Sequence, residues 1–122
     1  MALILHIDDE ASIREAVALT LKSGGHRVES AERLTDGIAL ALTEKPDLII
    51  LDLHMPEGDG FESCVVLRAV PPLAEIPIIM LSGMRDKAHI EKAKSFGAVD
   101  FLNKPFSSST LLAAVKKRVK TA

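Results

Sequence analysis

Five short apolar runs divide the chain: "ALILHI" at 2–7, "HRVESA" at 26–31, "DLIIL" at 47–51, "IPIIML" at 76–81 and "AVDFL" at 98–102. Runs of this length, rich in Val, Ile and Leu, predict strands. The segments between and after them have helical spacing instead. Ile13, Val17 and Leu21 mark the first helix, Leu34, Ile38, Ala41 and Leu42 the second, and Leu112, Val115 and Val119 the last, each set predicting one buried helix face. "FESCVVLRAV" is apolar on most sides, and "DKAHIEKAKSF" is only weakly amphipathic. The fourth helix is therefore expected to be the loosest, or to present a surface to another molecule.

Gly24-Gly25, Pro46, Pro71-Pro72 and Gly97 fall in the connections, and Ser107 or Ser108 can cap the fifth helix. Five strands alternating with five helices imply a parallel sheet covered on both faces. The first, third and fourth runs are almost wholly apolar, as interior parallel strands are, whereas the second is polar enough for an edge. The predicted class is α/β, a doubly wound (βα)5 sandwich with strand order 2-1-3-4-5. A chain of 122 residues, 48% of them hydrophobic, suits one domain over 1–122 that buries its core without staples.

In such a sheet ligands bind outside the carboxyl ends of the strands, at the switch point. The first strand delivers "DDE" there, the third Asp52, the fourth Ser82-Gly83, and the fifth leads through Asn103 to Lys104-Pro105. Asp8, Asp9 and Asp52 brought close together raise one another's proton affinity and strain the fold unless a cation joins them. Carboxylates, a carbonyl and waters suit a hard divalent ion, Mg²⁺. Lys104 adds positive charge from the other side. Metal, ammonium and hydroxyl around one carboxylate are what a phosphoryl group needs, and a carboxylate can itself be the nucleophile that forms an aspartyl phosphate. Asp52 is then the acceptor, Lys104 and Mg²⁺ hold two phosphoryl oxygens, and Ser82 can hold the third.

"IDDE", "LDLHMPEGDGFE", "PIIMLSG" and "GAVDFLNKPF", in that order along the whole chain, resemble the receiver domain of bacterial two-component response regulators, of the flavodoxin-like chemotaxis-regulator fold. Separations of 43, 30 and 22 residues link Asp9, Asp52, Ser82 and Lys104. The resemblance implies that Asp8 and Asp9 hold Mg²⁺ together with Asp52 and the backbone carbonyl of His54. It implies that Asp52 takes phosphate from a histidine kinase or histidine phosphotransfer protein. Ser82 becomes the switch hydroxyl, Phe101 the switch aromatic where tyrosine is frequent, and Lys104 the phosphoryl contact, aimed by a cis Lys104-Pro105 peptide. Such a domain catalyses only its own phosphorylation and dephosphorylation and is otherwise no enzyme. Its output is expected on the face of helix 4, strand 5 and helix 5, with Ile90, Lys94, Phe101 and Lys116 as members, read by a downstream effector domain or protein.

Glu10 reads as a first-turn helix acid rather than a metal contact. The His54 side chain reads as an exposed loop histidine, with influence on the phosphate's lifetime as the sharper alternative. His6, His26 and His89 read as strand, edge and surface residues, with no zinc-ligand spacing. Cys64 reads as core.

A haloacid-dehalogenase-like phosphatase needs a second acid two residues after the nucleophile, where this chain has His54. A flavodoxin-like cofactor site needs a Gly/Ser/Thr loop where the chain has "DDEAS". A docking module that has lost phosphorylation is countered by every expected group being present. The net charge of −2 and pI near 6.1 argue against direct nucleic-acid binding, "KKRVK" reading as a solvated helix end. One cysteine, no signal-peptide pattern and no span-length apolar stretch point to a cytoplasmic protein without membrane insertion.

Overall fold

The computed structural model describes residues 2–52, 54–55, 58–83, 87–104 and 106–119, with the side chains of 54–55, 58–61, 87–89 and 93 left outside that description. The expected cis Lys104-Pro105 peptide and the turn role of Pro56 lie outside the described residues.

Five parallel strands form the main sheet: β1 (Leu3–Ile7), β2 (Arg27–Ala31), β3 (Leu48–Asp52), β6 (Ile78–Ser82) and β7 (Asp100–Asn103). They lie in the order β2-β1-β3-β6-β7, the 2-1-3-4-5 arrangement expected from the polarity of the runs. Every residue of β3 and β6 is buried, and β2 is half-exposed along the edge. The helices are α1 (Ala11–Ser23), α2 (Leu34–Glu44), α3 (Gly60–Ala69), α4 (Lys87–Ser95) and α5 (Ser108–Arg118), with a 3-10 turn at Pro71–Leu73.

Side chains alternate across the strands, so the sheet has two cores. On one face Leu5, Ile7, Ile49, Leu51, Ile78 and Met80 pack with Ala41 of α2 and Cys64 and Leu67 of α3. On the other Ile4, Leu48, Ile50, Ile79 and Leu81 pack with Val17 and Leu21 of α1 and Leu111, Ala114 and Val115 of α5.

The ladders run one residue further than the apolar runs suggest. Asp52 and Ser82 are the last residues of β3 and β6, with Asp52 in register with Leu81 and Ser82 with Asn103. Both are thereby held by sheet backbone rather than by loops. A second difference follows Asp52, where a short antiparallel hairpin, β4 (His54–Met55) with β5 (Gly58–Asp59), replaces an expected loop and sets His54 opposite Asp59.

Two helix faces are also corrected. Leu42 is exposed, since α2 turns Gly37 and Ala41 inward. In α5 the fully buried leucine is Leu111, four residues before Val115, while Leu112 is only partly buried on the flank. Ser107 caps α5 by accepting from the Thr110 N–H at 3.1 Å, satisfying one of the helix's orphan donors.

Helix α3 grips the far end of α4 through side chains. Cys64 Sγ donates to the Phe96 carbonyl at 3.0 Å, and Arg68 donates to the carbonyls of Ala74, Ile76 and Gly97 at 2.9, 2.6 and 2.9 Å. Gly97 has φ +98, a left-handed conformation that ends α4 without Cβ strain.

Gly37 lets α2 lie directly on Ile7, the residue before Asp8; a Cβ there would collide with the Ile7 side chain. Ile7 is fully buried and has no room to withdraw. Alanine is the better helix former by about 1 kcal/mol, yet overpacking of this kind costs about 1–3 kcal/mol. Gly37→Ala is therefore expected to lower stability in urea unfolding, and a stabilised variant would refute the close approach.

Candidate functional site

Asp8 follows β1, and its N–H donates to the Ala31 carbonyl of β2 at 3.0 Å, which continues the strand's direction past its last pair. Its side chain is fully buried. Oδ1 accepts the Glu10 N–H at 3.0 Å, and Oδ2 faces His6 Nε2 at 3.3 Å and Lys104 Nζ at 3.4 Å. The Asp8 carbonyl accepts Arg14 Nη1 of α1 at 2.7 Å. The residue is thus held at both its backbone and its carboxylate.

Asp52 ends β3 at 1% exposure, with Oδ1 3.0 Å from Lys104 Nζ. Lys104 follows β7; its N–H donates to the Ser82 carbonyl at 2.6 Å, and its ammonium also lies 3.4 Å from Glu10 Oε1. One amine therefore faces three carboxylates. Ser82 is fully buried at the end of β6. The sheet brings together Asp8, Asp9, Asp52, Ser82 and Lys104, the groups the sequence placed at its carboxyl edge.

The charges explain the titration behaviour. Burial is the largest influence on Lys104 and pulls its pKa down, but the hydrogen bond and charge of Asp52, with Asp8 and Glu10, outweigh it and hold the amine above its ordinary value. Burial likewise pushes Asp8 up, yet the His6 contact, the Glu10 N–H and Lys104 together hold it below the usual carboxylate value. Burial raises the Cys64 thiol, in keeping with an inert core residue.

Asp8, Asp9, Glu10 and Asp52 each offer a carboxylate oxygen within 4.8 Å of the others. Asp9 Oδ1 is buried and has no aligned hydrogen-bond partner among the described residues. Four carboxylates against one ammonium leave excess negative charge, and an all-oxygen donor set is the kind that hard cations take. The residues present fit a divalent ion such as Mg²⁺.

Glu10 enters this cluster although it reads from sequence as a helix acid; it is the N-cap of α1, which turns it back toward Lys104. The contact of His6 with Asp8 was also missed. Its signal lay in the strand period, since residues two apart share a face. His54 belongs to β4, and its side chain lies outside the description.

Phe101 is half-buried on β7 and packs against the core on the α2–α3 face. Ile90 is half-buried and Lys94 exposed on α4. Lys116, in contrast, lines a shallow cleft with Gly24, His26 and Leu112. It stands on the flank of α5 that meets the end of α1, because Leu112 and Lys116 share one side of that helix.

Three comparisons bear on this arrangement. The family described as the response regulator receiver domain matches residues 4–116. The transcriptional regulatory protein KdpE of Escherichia coli is 39% identical over 116 residues, covering 95% of this chain and 50% of that protein. RpaA of Synechocystis, a DNA-binding transcriptional regulator, is 39% identical with 95% and 48% covered. The chain spans about half the length of these relatives. Among solved structures, the chemotaxis protein CheY4 of Vibrio cholerae superposes with TM-score 0.91 at 34% identity, covering 98% of this chain and 99% of that one. The signal receiver domain of a histidine kinase from Syntrophus aciditrophicus gives 0.85 at 31%, with 96% and 89% covered.

Removing the shared ammonium tests the electrostatics directly. Lys104→Met should destabilise the fold at neutral pH by roughly 3–5 kcal/mol, the scale for stranding a buried charge. In that variant Asp8 loses a charge that favours its ionisation, so its folded pKa rises. The deficit should then shrink as pH falls from 7 toward 4 and Asp8 protonates. Denaturant titrations at several pH values check it, and a deficit that does not vary with pH would contradict the assignment. In the wild type the signs differ. The depressed Asp8 contributes stability that is present above the unfolded carboxylate pKa and lost as pH falls through its folded value. The raised Lys104 contributes stability that is lost only as pH rises above the ordinary lysine value.

Proposed function

Since the chain belongs to the response regulator receiver domain family, we propose that Asp52 is its phosphoryl acceptor and that the domain passes a kinase's signal to a partner surface. One observation carries this: Asp52 is buried at the carboxyl edge, 3.0 Å from the Lys104 ammonium and within 4.8 Å of the other three acids. A carboxylate so placed is held in one orientation while its neighbours neutralise the charge a phosphoryl group brings.

The Asp52 carboxylate attacks phosphorus in a phosphohistidine of a histidine kinase or histidine phosphotransfer protein. The new O–P bond forms as the P–N bond breaks, and the imidazole leaves with the electron pair. Lys104 Nζ, already beside Asp52 Oδ1, takes up a phosphoryl oxygen, and the Ser82 hydroxyl, on the neighbouring strand end, takes another. Asp8, Asp9, Asp52 and the His54 carbonyl would hold Mg²⁺, which when bound supplies further charge neutralisation. Hydrolysis returns Asp52 as inorganic phosphate leaves. No other catalysis is assigned to the domain.

The response is a population shift. Contacts of Ser82 and Lys104 with the phosphoryl group are complete in one arrangement of the strand ends, so phosphorylation biases the chain toward it. Lys104 N–H is bonded to the Ser82 carbonyl, and Phe101 lies three residues before Lys104, so β6 and β7 respond together. Ile90, Lys94 and Phe101 mark the face of α4, β7 and α5 read by a downstream effector. Lys116, exposed on α5 beside the cleft it lines with Gly24, His26 and Leu112, is the α5 member of that face. The related regulators KdpE and RpaA are named for transcriptional control and CheY4 for chemotaxis, which supports an effector domain or a separate protein as the reader.

Incubation with acetyl phosphate and Mg²⁺ should add one phosphoryl group by intact-mass measurement. Chelation should prevent it, and Asp52→Asn should abolish it. Labelling of the Asp52→Asn variant at the wild-type rate would overturn the acceptor assignment. In the phosphorylated wild type, backbone amide shifts should concentrate at the ends of β6 and β7 and along α4. Changes confined to Asp52 and its neighbours would refute the switch.

A further inference from the structure

His6 occupies a position that its own chemistry disfavours. It lies in β1, in the middle of the sheet, in register with Ser30 of β2 and Ile50 of β3, and it is fully buried. Interior parallel strands covered on both faces take Val, Ile or Leu, as β1 does at Ile4, Leu5 and Ile7. Burying an imidazole costs free energy unless its nitrogens find partners. Neither His6 Nδ1 nor Nε2 has an aligned hydrogen-bond partner among the described residues, and neither does Asp8 Oδ2. Yet His6 Nε2 and Asp8 Oδ2 lie 3.3 Å apart, both fully enclosed, so a small tilt of the ring or carboxylate completes a bond between them.

We infer that His6 is a positioning residue for Asp8, holding its carboxylate from the core side so that the acid cluster keeps its geometry when Lys104 is drawn to the phosphoryl group. The inference rests on the receiver reading above and deepens it. Asp8 Oδ1 is engaged by the Glu10 N–H. Besides His6, Oδ2 has the Lys104 ammonium, at 3.4 Å, and that same ammonium is the group called on to meet an incoming phosphoryl oxygen. As Lys104 turns toward it, Oδ2 would lose its other restraint on the core side. The His6 Nε2–H remains, because the ring is fully buried on the face of the central strand β1 and has no task at the reaction centre. Partners standing behind a metal-binding carboxylate typically matter by about 10–100-fold in metal affinity or activity.

The test compares His6→Leu, which fills the core without a donor, with His6→Gln, whose amide N–H can take the place of Nε2–H. Mg²⁺ affinity, measured by titration calorimetry on the metal-free chain with MgCl₂, should weaken about tenfold in the leucine variant and be largely restored in the glutamine variant. Phosphorylation by acetyl phosphate at saturating Mg²⁺ should also slow in the leucine variant, since Lys104 is then withdrawn from Asp8. Melting curves without metal establish that each variant folds. His6→Met, also donor-free, replaces the leucine should that one not fold. Wild-type Mg²⁺ affinity in the donor-free variant overturns the inference. So does an equal loss in the donor-free and glutamine variants, which would trace the effect to packing. A wild-type chain that takes up no Mg²⁺ would instead overturn the metal site itself, and the inference with it.

Discussion

The Lys104 ammonium stands against Asp52, Asp8 and Glu10 at 3.0, 3.4 and 3.4 Å, and the architecture around it can be understood as the means of keeping that crowd together. Desolvating ionised side chains costs several kcal/mol per ion even after relaxation, and one amine cannot neutralise four carboxylates. The chain offsets this from its interior. Each fully buried Leu or Ile of β3 and β6 contributes about 2 kcal/mol. These strands sit at the centre of the sheet with both faces covered. A site unfavourable to stability is thereby mounted on the part of the fold least able to yield.

Rigidity is extended outward by contacts between side chains and backbone. Arg14 ties α1 to the Asp8 carbonyl, and Gly37 lets α2 lie on Ile7. Cys64 and Arg68 bind α3 to the carbonyls that end α4. The last pair has a directional consequence: α4 is tethered at its C-terminal end to α3, while the strand ends at Ser82 and Lys104 lie at the opposite edge of the sheet. In the proposed switch a change at the acid cluster would reach α4 through β7, with the Phe96–Gly97 corner as the fixed point.

Much of this was legible in the sequence, for identifiable reasons. Apolar runs ending on Asp52 and Ser82, and the polarity of 26–31, carry strand order and site position together, because in a doubly wound sheet one pattern determines both. Asp8, Asp9, Asp52, Ser82 and Lys104 followed from that edge. What escaped has no periodic trace. Arg68 reaches carbonyls six, eight and 29 positions away, and backbone acceptors are invisible in residue identities. The β4–β5 hairpin is only two residues a side. The choice of Leu111 over Leu112 as the buried residue turns on the rotation of a single helix.

His6 is the instructive case between these. Its two-residue spacing from Asp8 was available, but a lone histidine in an apolar strand carries no sign of whether it is merely enclosed or engaged. Burial and the 3.3 Å approach supply the distinction. In the proposed phosphoryl transfer the demand on Lys104 is double: it must stabilise the acids beforehand and then turn to an incoming oxygen. An ammonium on a four-carbon stem suits that exchange, since it is a flexible point charge rather than a fixed fork. A residue that leaves one carboxylate for another group requires something rigid behind the carboxylate it leaves. An imidazole clamped in the central sheet has the short reach and lack of freedom for that task, which a second lysine would not.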